Sequence, residues 1–211
     1  MALGMLRVPA ACAMYVLLAL ADCERLVNEP GRTCSPLGQS PGLKCGKGVL
    51  CGNLVLTSGL GTREYGGGTP RAHGLWPSTT NHSGDAPCVG PTQSSKGPDN
   101  TMHDCFRGAT NATRLQVHEW KAHGVCAGVL DAKDYLTQTC VLASEPLSIM
   151  NKSKASSLSD IAQDLQSHGI CVWKLKEDRY MEIYLSACVG KDGQWKLADA
   201  RNFSKECAKK Y

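Results

Sequence analysis

Hydrophobic and polar positions follow two periods along the chain, and they predict both strands and helices. Short apolar runs bounded by glycine or polar residues predict buried strands at "GNLVLTS", "ICVWKL" and "RYMEIYLSACV". Segments with helical spacing and terminal signals predict three helices. These are "TRLQVHEWKAHG", beginning near Thr113 and ending at Gly124, "DAKDYLTQTCVLASE" with an aspartate cap, and "SLSDIAQDLQSHG", ending at Gly169. Because the elements follow no βαβ rhythm, the pattern predicts the α+β class.

The N-terminal segment has the pattern of an export signal. One basic residue, Arg7, precedes an uncharged apolar run from Val8 to Ala21 that ends in small residues. The run is too short for a membrane span and predicts a secretory signal peptide over residues 1–21. No later segment of the sequence is long and apolar enough to cross a bilayer. We therefore expect an exported domain over residues 22–211, large enough for one sizeable core.

The cysteine content favours an oxidising compartment. The chain has 12 cysteines, of which Cys12 lies in the predicted signal peptide. Such a density in an exported chain indicates disulfides rather than zinc ligands. The remaining number is odd, so at least one thiol is free, pairs between chains or is lost by different processing. Asn-x-Ser/Thr sequons predict a glycoprotein; they begin at Asn81, Asn111, Asn151 and Asn202.

The formal net charge is +4 at pH 7, which is too small to establish a polyanionic partner. It would fall to about +3 on loss of Arg7 with the signal peptide. It would rise in acid, where the 6 histidines become charged. His82, His103 and His168 lie in polar or helix-terminal contexts and are predicted to be surface residues. The other histidines belong to two short motifs.

The first motif is "HEWKAHGVC", residues 118–126. His118 and His123 are five positions apart, so on a straight helix they lie roughly 140° apart and cannot easily share one metal ion. The zinc-protease motif has a spacing of four, which argues against a metal site. Glu119 and His123 share a face, and His118 completes an arc that could form one wall of a cleft. Trp120 points away from this arc and is predicted to be a core residue.

The second motif, "AHGLWP", supplies His73 opposite that wall. General acid–base chemistry needs groups on both sides of the reacting centre, and imidazoles suit it because their unperturbed pKa is about 6.5. Together, "HGLWP" and "HEWKAHGVC" resemble the two active-site segments of the ribonuclease T2 family of secreted acid ribonucleases. "DYL", "GIC" and "EIYLSACVGKDGQW" extend the resemblance, which covers most of residues 45–207.

The resemblance implies a disulfide-rich α+β fold with a central antiparallel sheet and several helices. It implies a secreted endoribonuclease that cleaves single-stranded RNA through 2′,3′-cyclic phosphates to 3′-phosphates. DNA lacks the 2′-hydroxyl and would not be cleaved. No metal or cofactor is expected, because the nucleophile lies within the substrate and two imidazoles handle the protons. We expect a monomer that does not bind membranes, in extracellular fluid or in the lumen of an acidic vacuole or lysosome-like compartment.

The same resemblance assigns roles to the residues of both motifs. His123 would be the general base and His73 the general acid, while His118 would bind the phosphate. Glu119 would assist by hydrogen bonding to the transition state or by tuning a histidine. Trp76 would either contact the nucleotide or pack behind the loop.

One departure from the usual family pattern bears on activity. The family reads HEWxKHG, with lysine directly before the second histidine, whereas this chain has Ala122 there and Lys121 one position earlier. Lys121 lies about 60° outside the arc. Its flexible stem either reaches back to the phosphate or leaves the transition state without a cation. A weakened or inactive protein of this fold, acting by binding RNA or a protein partner, is therefore the alternative function.

A second departure concerns base recognition. The Gln and Trp that usually mark a base site before "HGLWP" are missing, so base preference cannot be transferred. Tyr65 could stack a base, although a loop tyrosine without that role is the simpler interpretation.

The resemblance also implies two disulfides. Cys88 would pair with Cys126 and tie the long polar loop to the active-site helix, and Cys171 would pair with Cys207 to close the C-terminal strands. The usual partner position of Cys188 is Ala200 in this chain. The pairing of the remaining cysteines stays open; they are Cys23, Cys34, Cys45, Cys51, Cys105 and Cys140.

Overall fold

The computed structural model describes Cys34 and residues 43–62, 68–80, 83–93 and 97–211. Several sequence predictions lie outside these residues: the signal peptide over residues 1–21, Cys23, Tyr65, the sequon at Asn81 and the surface histidine His82. No helix in the described part of the chain has the length and apolar character needed to span a membrane.

Five antiparallel strands form one sheet, with the order β2-β1-β4-β3 and with β5 also paired to β4. β3 pairs with the first half of β4 and β5 with its second half, so both lie on the same edge of β4. The strands are β1 (Cys51–Thr57), β2 (Arg71–Pro77), β3 (Val172–Lys176), β4 (Glu182–Val189) and β5 (Trp195–Leu197). The predicted antiparallel sheet is confirmed.

All three helices predicted from the sequence are present, and a short fourth one follows the last strand. Each of the first three begins with a side chain that accepts a hydrogen bond from a backbone N–H of the first turn, namely Asn111, Asp131 and Ser157. The helices are α1 (Ala112–Ala122), α2 (Ala132–Lys152), α3 (Leu158–Ser167) and α4 (Phe203–Glu206). With the sheet and the disulfides, they confirm the predicted disulfide-rich α+β class.

Helix α2 runs further than its sequence pattern predicts. It continues beyond Glu145 and contains Pro146 in its interior, although proline removes a backbone donor and usually ends a helix. Leu147 and Met150 extend the buried apolar face of α2 beyond the proline. Burial of these side chains favours the additional turns over an earlier end.

The core holds β2 firmly in place. The central strands β1 and β4 are buried over nearly their whole length, which explains why they appear in the sequence as continuous apolar runs. On α2, the buried hydroxyl of Tyr135 donates a hydrogen bond to the carbonyl oxygen of Leu75 and accepts one from its backbone N–H. These two bonds fix the strand that carries His73 against the helix layer.

Five disulfides join described cysteines, and one predicted pairing is wrong. Cys88 is bonded to Cys126, as the resemblance implies. Cys171 and Cys207 are not bonded to each other: Cys171 pairs with Cys34, and Cys207 with Cys188. The other two pairs are Cys45–Cys51 and Cys105–Cys140.

The sheet register explains the correction. Cys171 adjoins Val172, which pairs with Leu185 of β4. That point lies about 10 Å along β4 from Cys188, and Cys207 is 5.9 Å from Cys188 between Cα atoms. Cys207 therefore lies beside the second half of β4, where it is bonded to Cys188, and Cys171 pairs with Cys34 instead.

Removing the Cys88–Cys126 disulfide should destabilise the protein strongly. The bond closes a loop with a sequence separation of 38 residues, and chain entropy predicts a loss of about 4 kcal/mol. The double variant Cys88→Ala with Cys126→Ala should show this loss in the free energy of unfolding from urea titration.

The matched control is Cys45→Ala with Cys51→Ala. Its loop separation is only 6 residues, so the expected loss is about 2 kcal/mol. A larger loss for the short loop than for the long one would contradict the loop-entropy explanation.

Candidate active site

Strand β2 contains a bulge at His73. Val55 pairs with Gly74 and Leu56 with Ala72, so His73 is the extra residue between them. In a regular strand, residues three positions apart point to opposite faces, yet the rings of His73 and Trp76 are 5.1 Å apart. The bulge re-aims the His73 side chain toward Trp76. The "HGLWP" motif is therefore part of a strand, not of a loop.

The second histidine of the other motif lies beyond the helix. α1 ends at Ala122, and His123 is its C-terminal cap with φ −131° and ψ −46°. The straight-helix arc thus does not apply to His123, whose ring lies 6.5 Å from that of His118. Among the described residues, no group of three or more His, Cys, Asp or Glu side chains is arranged to hold a metal ion.

Gly124, two positions after the last residue of α1, lies at a point of close packing. A Cβ atom at this position would lie 2.4 Å from Cε3 of Trp120 and 2.9 Å from Cγ of Tyr135. Trp120 is buried in the core, as predicted. The absence of a side chain at Gly124 therefore allows the chain to turn directly after His123.

Trp76 connects the two motifs. Its indole Nε1 donates a hydrogen bond of 2.7 Å to Oε2 of Glu119. The indole also stacks on the ring of His123, with centroids 4.9 Å apart and an interplanar angle of 20°. With His73 at the edge of the same indole, Trp76 holds side chains from both motifs in one cluster.

Gly74 makes room for this hydrogen bond. A Cβ atom there would lie 1.9 Å from Oε2 of Glu119 and 2.8 Å from Nε1 of Trp76. Any larger residue at position 74 would push the two partners apart.

Glu119 is fully buried beside His73. Its Oε1 lies 3.7 Å from Nε2 of His73, beyond hydrogen-bond distance. Burial raises the pKa of Glu119 to about 7, although the charge of His73 and the hydrogen bond from Trp76 favour the ionised form. The carboxyl group faces the cluster and has no exposed surface.

A second buried carboxylate, Glu182, contacts His73 on its other ring nitrogen. Nδ1 of His73 lies 2.5 Å from Oε1 of Glu182. Nζ of Lys176 and the hydroxyl of Tyr184 both donate hydrogen bonds to Oε2, at 3.3 and 3.0 Å. Burial by itself would raise the pKa of Glu182, but these donors and the charges of His73 and Lys176 together lower it. Glu182 is therefore ionised at neutral pH.

His73 and His118 line a cleft with a volume of about 410 Å³. Arg71 and Arg114 line it as well, and none of the described residues along its wall is acidic. Arg114 precedes His118 by four positions on α1, so the two side chains share one helix face. Lys121 is exposed and is not among these lining residues. A cleft of this composition favours an anionic ligand.

Sequence reasoning did not identify three of the residues near His73, although two of them have partial signals: Glu182, Arg71 and Arg114. Arg114 lies four positions before His118, and this spacing places both side chains on one helix face. Glu182 is a carboxylate in an otherwise apolar strand, and such a group needs a partner when buried. For Arg71 the sequence offers no signal beyond its proximity to His73.

Residues 71–170 match a sequence model of the ribonuclease T2 family. The matched segment contains β2, α1, α2 and α3, and hence both histidine motifs. Comparisons with curated proteins and with solved structures gave no match.

The raised pKa of Glu119 predicts that the free energy of unfolding falls as the pH rises. Between about pH 4.5 and about pH 7 the folded protein keeps a proton that the unfolded chain has released, so the free energy of unfolding decreases as pH rises. The total decrease is at most about 3 kcal/mol. Glu119→Gln retains an oxygen for the Trp76 N–H and should remove this decrease in urea titrations across that range.

Glu177→Gln is the control, because Glu177 is an exposed glutamate and should leave the pH dependence unchanged. If Glu119→Gln unfolds with the same pH dependence as the wild type, the raised pKa is wrong.

Proposed function

The chain belongs to the ribonuclease T2 family, and on that premise we propose that it is a secreted endoribonuclease acting on single-stranded RNA. The family match supports a ribonuclease-type function and RNA as the substrate. The observation that carries the finer proposal is the cluster of imidazoles from two separate motifs around Trp76. Metal-independent transesterification needs such a pair of proton-transfer groups at one phosphate.

In the proposed first step, His123 accepts the proton of the ribose 2′-hydroxyl while its oxygen attacks the adjacent phosphorus. The bond from phosphorus to the 5′-oxygen breaks, and His73 donates a proton to that oxygen. The products are a 2′,3′-cyclic phosphate and a 5′-hydroxyl. In a second step the roles reverse, and water opens the cyclic ester to a 3′-phosphate. DNA is excluded because it lacks the attacking hydroxyl.

The contacts of His73 support its role as the general acid. The ionised carboxylate of Glu182 accepts the hydrogen bond of Nδ1 and so fixes the orientation of the ring. Nε2 lies 3.7 Å from Oε1 of Glu119, beyond hydrogen-bond distance, and is the nitrogen left for the substrate.

Glu119 and Trp76 take supporting roles in this proposal. Because Glu119 is buried and bonded to Trp76, we favour its tuning of His73 over direct contact with the transition state. Trp76 is partly exposed, so it can place His123 by stacking and still offer an edge to the nucleotide. His118 binds the phosphate from its exposed position in the cleft.

Arg114 is the proposed source of the positive charge that Ala122 does not provide. It lines the cleft together with His118, whereas Lys121 does not. An arginine suits this task because its planar guanidinium remains charged and matches a phosphate with two parallel donors.

Export is the proposed route to the working compartment. The signal peptide over residues 1–21 and the sequons support it, as do five disulfides among the described cysteines. Asn111, Asn151 and Asn202 are proposed glycan sites, and Asn111 lies at the cleft. The final compartment is extracellular fluid or an acidic lumen, and we propose a monomer.

The proposed reaction predicts metal-independent cleavage that depends on the two motif histidines. Disulfide-intact protein incubated with single-stranded RNA and EDTA should yield 2′,3′-cyclic phosphates, and His123→Ala should lower kcat by about 10²-fold or more. His168→Ala is the control, because His168 caps α3 away from the cluster.

Two outcomes would contradict the enzymatic function: no cyclic phosphate from the wild type, or unchanged cleavage by His123→Ala. RNA bound without any product would instead support the alternative function, a protein of this fold that acts by binding.

The assignment of the cation predicts unequal effects of two matched substitutions. Arg114→Gln should lower kcat/KM by about 10²-fold, the cost of removing one group that stabilises transition-state charge, whereas Lys121→Gln should change it less than about threefold. Ala122→Lys introduced into the Arg114→Gln variant should restore part of the rate. If Lys121→Gln causes the larger loss, Lys121 reaches the phosphate and the assignment to Arg114 is wrong.

A further inference from the structure

We propose that Glu182 is a positioning residue for His73, whose buried carboxylate holds the ring proton on Nδ1 and so presents Nε2 to the substrate. The inference deepens the proposed function and rests on it for the role of His73. The contact itself belongs to the fold and can be tested without any substrate.

Glu182 is placed for this task by the sheet. It is the first residue of β4 and pairs with Thr57 of β1 and Lys176 of β3. Its side chain is only 1% exposed. A carboxylate buried in a sheet is costly unless its oxygens are hydrogen-bonded, and both oxygens of Glu182 have donors.

The donors reach the carboxylate from three strands. His73 approaches Oε1 from β2, while Lys176 of β3 and Tyr184 of β4 approach Oε2. Lys176 also forms an ion pair of 3.1 Å with Asp178, so the position of its amine is held from two sides. Because Oε2 is occupied by these two donors, the carboxylate cannot rotate away, and Oε1 stays directed at His73.

This geometry selects one tautomer of His73. An ionised carboxylate is an acceptor only, so the nitrogen that contacts it must carry a hydrogen. Nδ1 is that nitrogen. In the neutral ring, Nε2 then has the lone pair; in the charged ring, Nε2 carries the proton that a general acid donates. The contact with Glu182 therefore leaves proton transfer to Nε2 alone.

The ring has little freedom to adopt another orientation. The edge of Trp76 lies on one side at 5.1 Å between centroids, and the ring of Tyr180 is stacked at 6.4 Å on another. Rotation of the imidazole would break the bond to Glu182 and bring Nδ1 toward Glu119. A purely structural tie between β2 and β4 would not need this choice of nitrogen, so the tautomer is the property that a test must measure.

The first test measures the tautomer in the wild-type protein. In ¹H–¹⁵N spectra of protein labelled at histidine, the neutral His73 ring, assigned by comparison with His73→Gln, should show a protonated Nδ1 and an unprotonated Nε2. A neutral ring protonated on Nε2 would overturn the proposal. This result does not depend on RNA cleavage, so a failure of the proposed function and a failure of this inference are separable.

The second test removes the carboxylate. Folded Glu182→Ala should lose the preference for protonated Nδ1 and should show kcat lowered by about 10²-fold, with KM changed less than about threefold, because Glu182 does not touch the substrate. Glu177→Ala is the matched control: it removes an exposed glutamate and leaves Glu182 with all its donors, so tautomer and kcat should stay close to wild type. Wild-type tautomer and kcat in folded Glu182→Ala would overturn the proposal.

Discussion

The hydrogen bond from the Trp76 indole to Glu119 is the interaction on which the geometry of the site depends. It joins a strand residue to a helix residue 43 positions later in the chain. His123 stacks on the same indole and His73 meets its edge, so the relative positions of both imidazoles follow from the placement of one ring. Gly74 is the accompanying constraint, since only the absence of a Cβ atom lets carboxyl and indole approach.

The two buried carboxylates beside His73 show how the fold differentiates chemically identical groups. Glu182 has donors on both oxygens and a cationic amine nearby, so it is ionised. Glu119 has one donor and no exposed surface, and its pKa of about 7 lies close to neutrality. One carboxyl is a fixed negative charge, whereas the other changes charge near neutral pH. His73 thus lies between a permanent and a titratable partner, each placed by a different secondary-structure element.

Much of the fold was predictable from the sequence, because its signals are local. The apolar runs of β1 and β4 and the cap at Asp131 depend on neighbouring residues alone. The longer extent of α2 was not predictable, since a buried face stabilises it beyond Pro146. The disulfide of Cys171 was assigned wrongly because its partner, Cys34, lies 137 residues earlier in the chain, and no local pattern marks such a pair.

The residues of the candidate site were predictable in part from the sequence, whereas their geometry was not. The motifs identified the three imidazoles, Glu119 and Trp76. The angle predicted between His118 and His123 on a straight helix does not apply, because His123 lies beyond the last residue of α1. The bulge at His73 has no local sequence signal, because it arises from the pairing of β2 with β1. Arg114 was within reach of sequence reasoning, whereas the contact of Glu182 with His73 requires two strands that are not neighbours in the sheet.

The contact between His73 and Glu182 depends on the order in which the chain is synthesised. His73 and Glu182 are 109 residues apart, and all three imidazoles precede α2 along the sequence. A nascent chain that has emerged only as far as α3 therefore contains every histidine of the cluster, but neither the carboxylate nor the central strand that carries it. The arrangement around His73 is completed only when β4 pairs with β1, which requires that β4 has been synthesised. A partly synthesised chain would carry the histidines while the orientation of His73 was still unset.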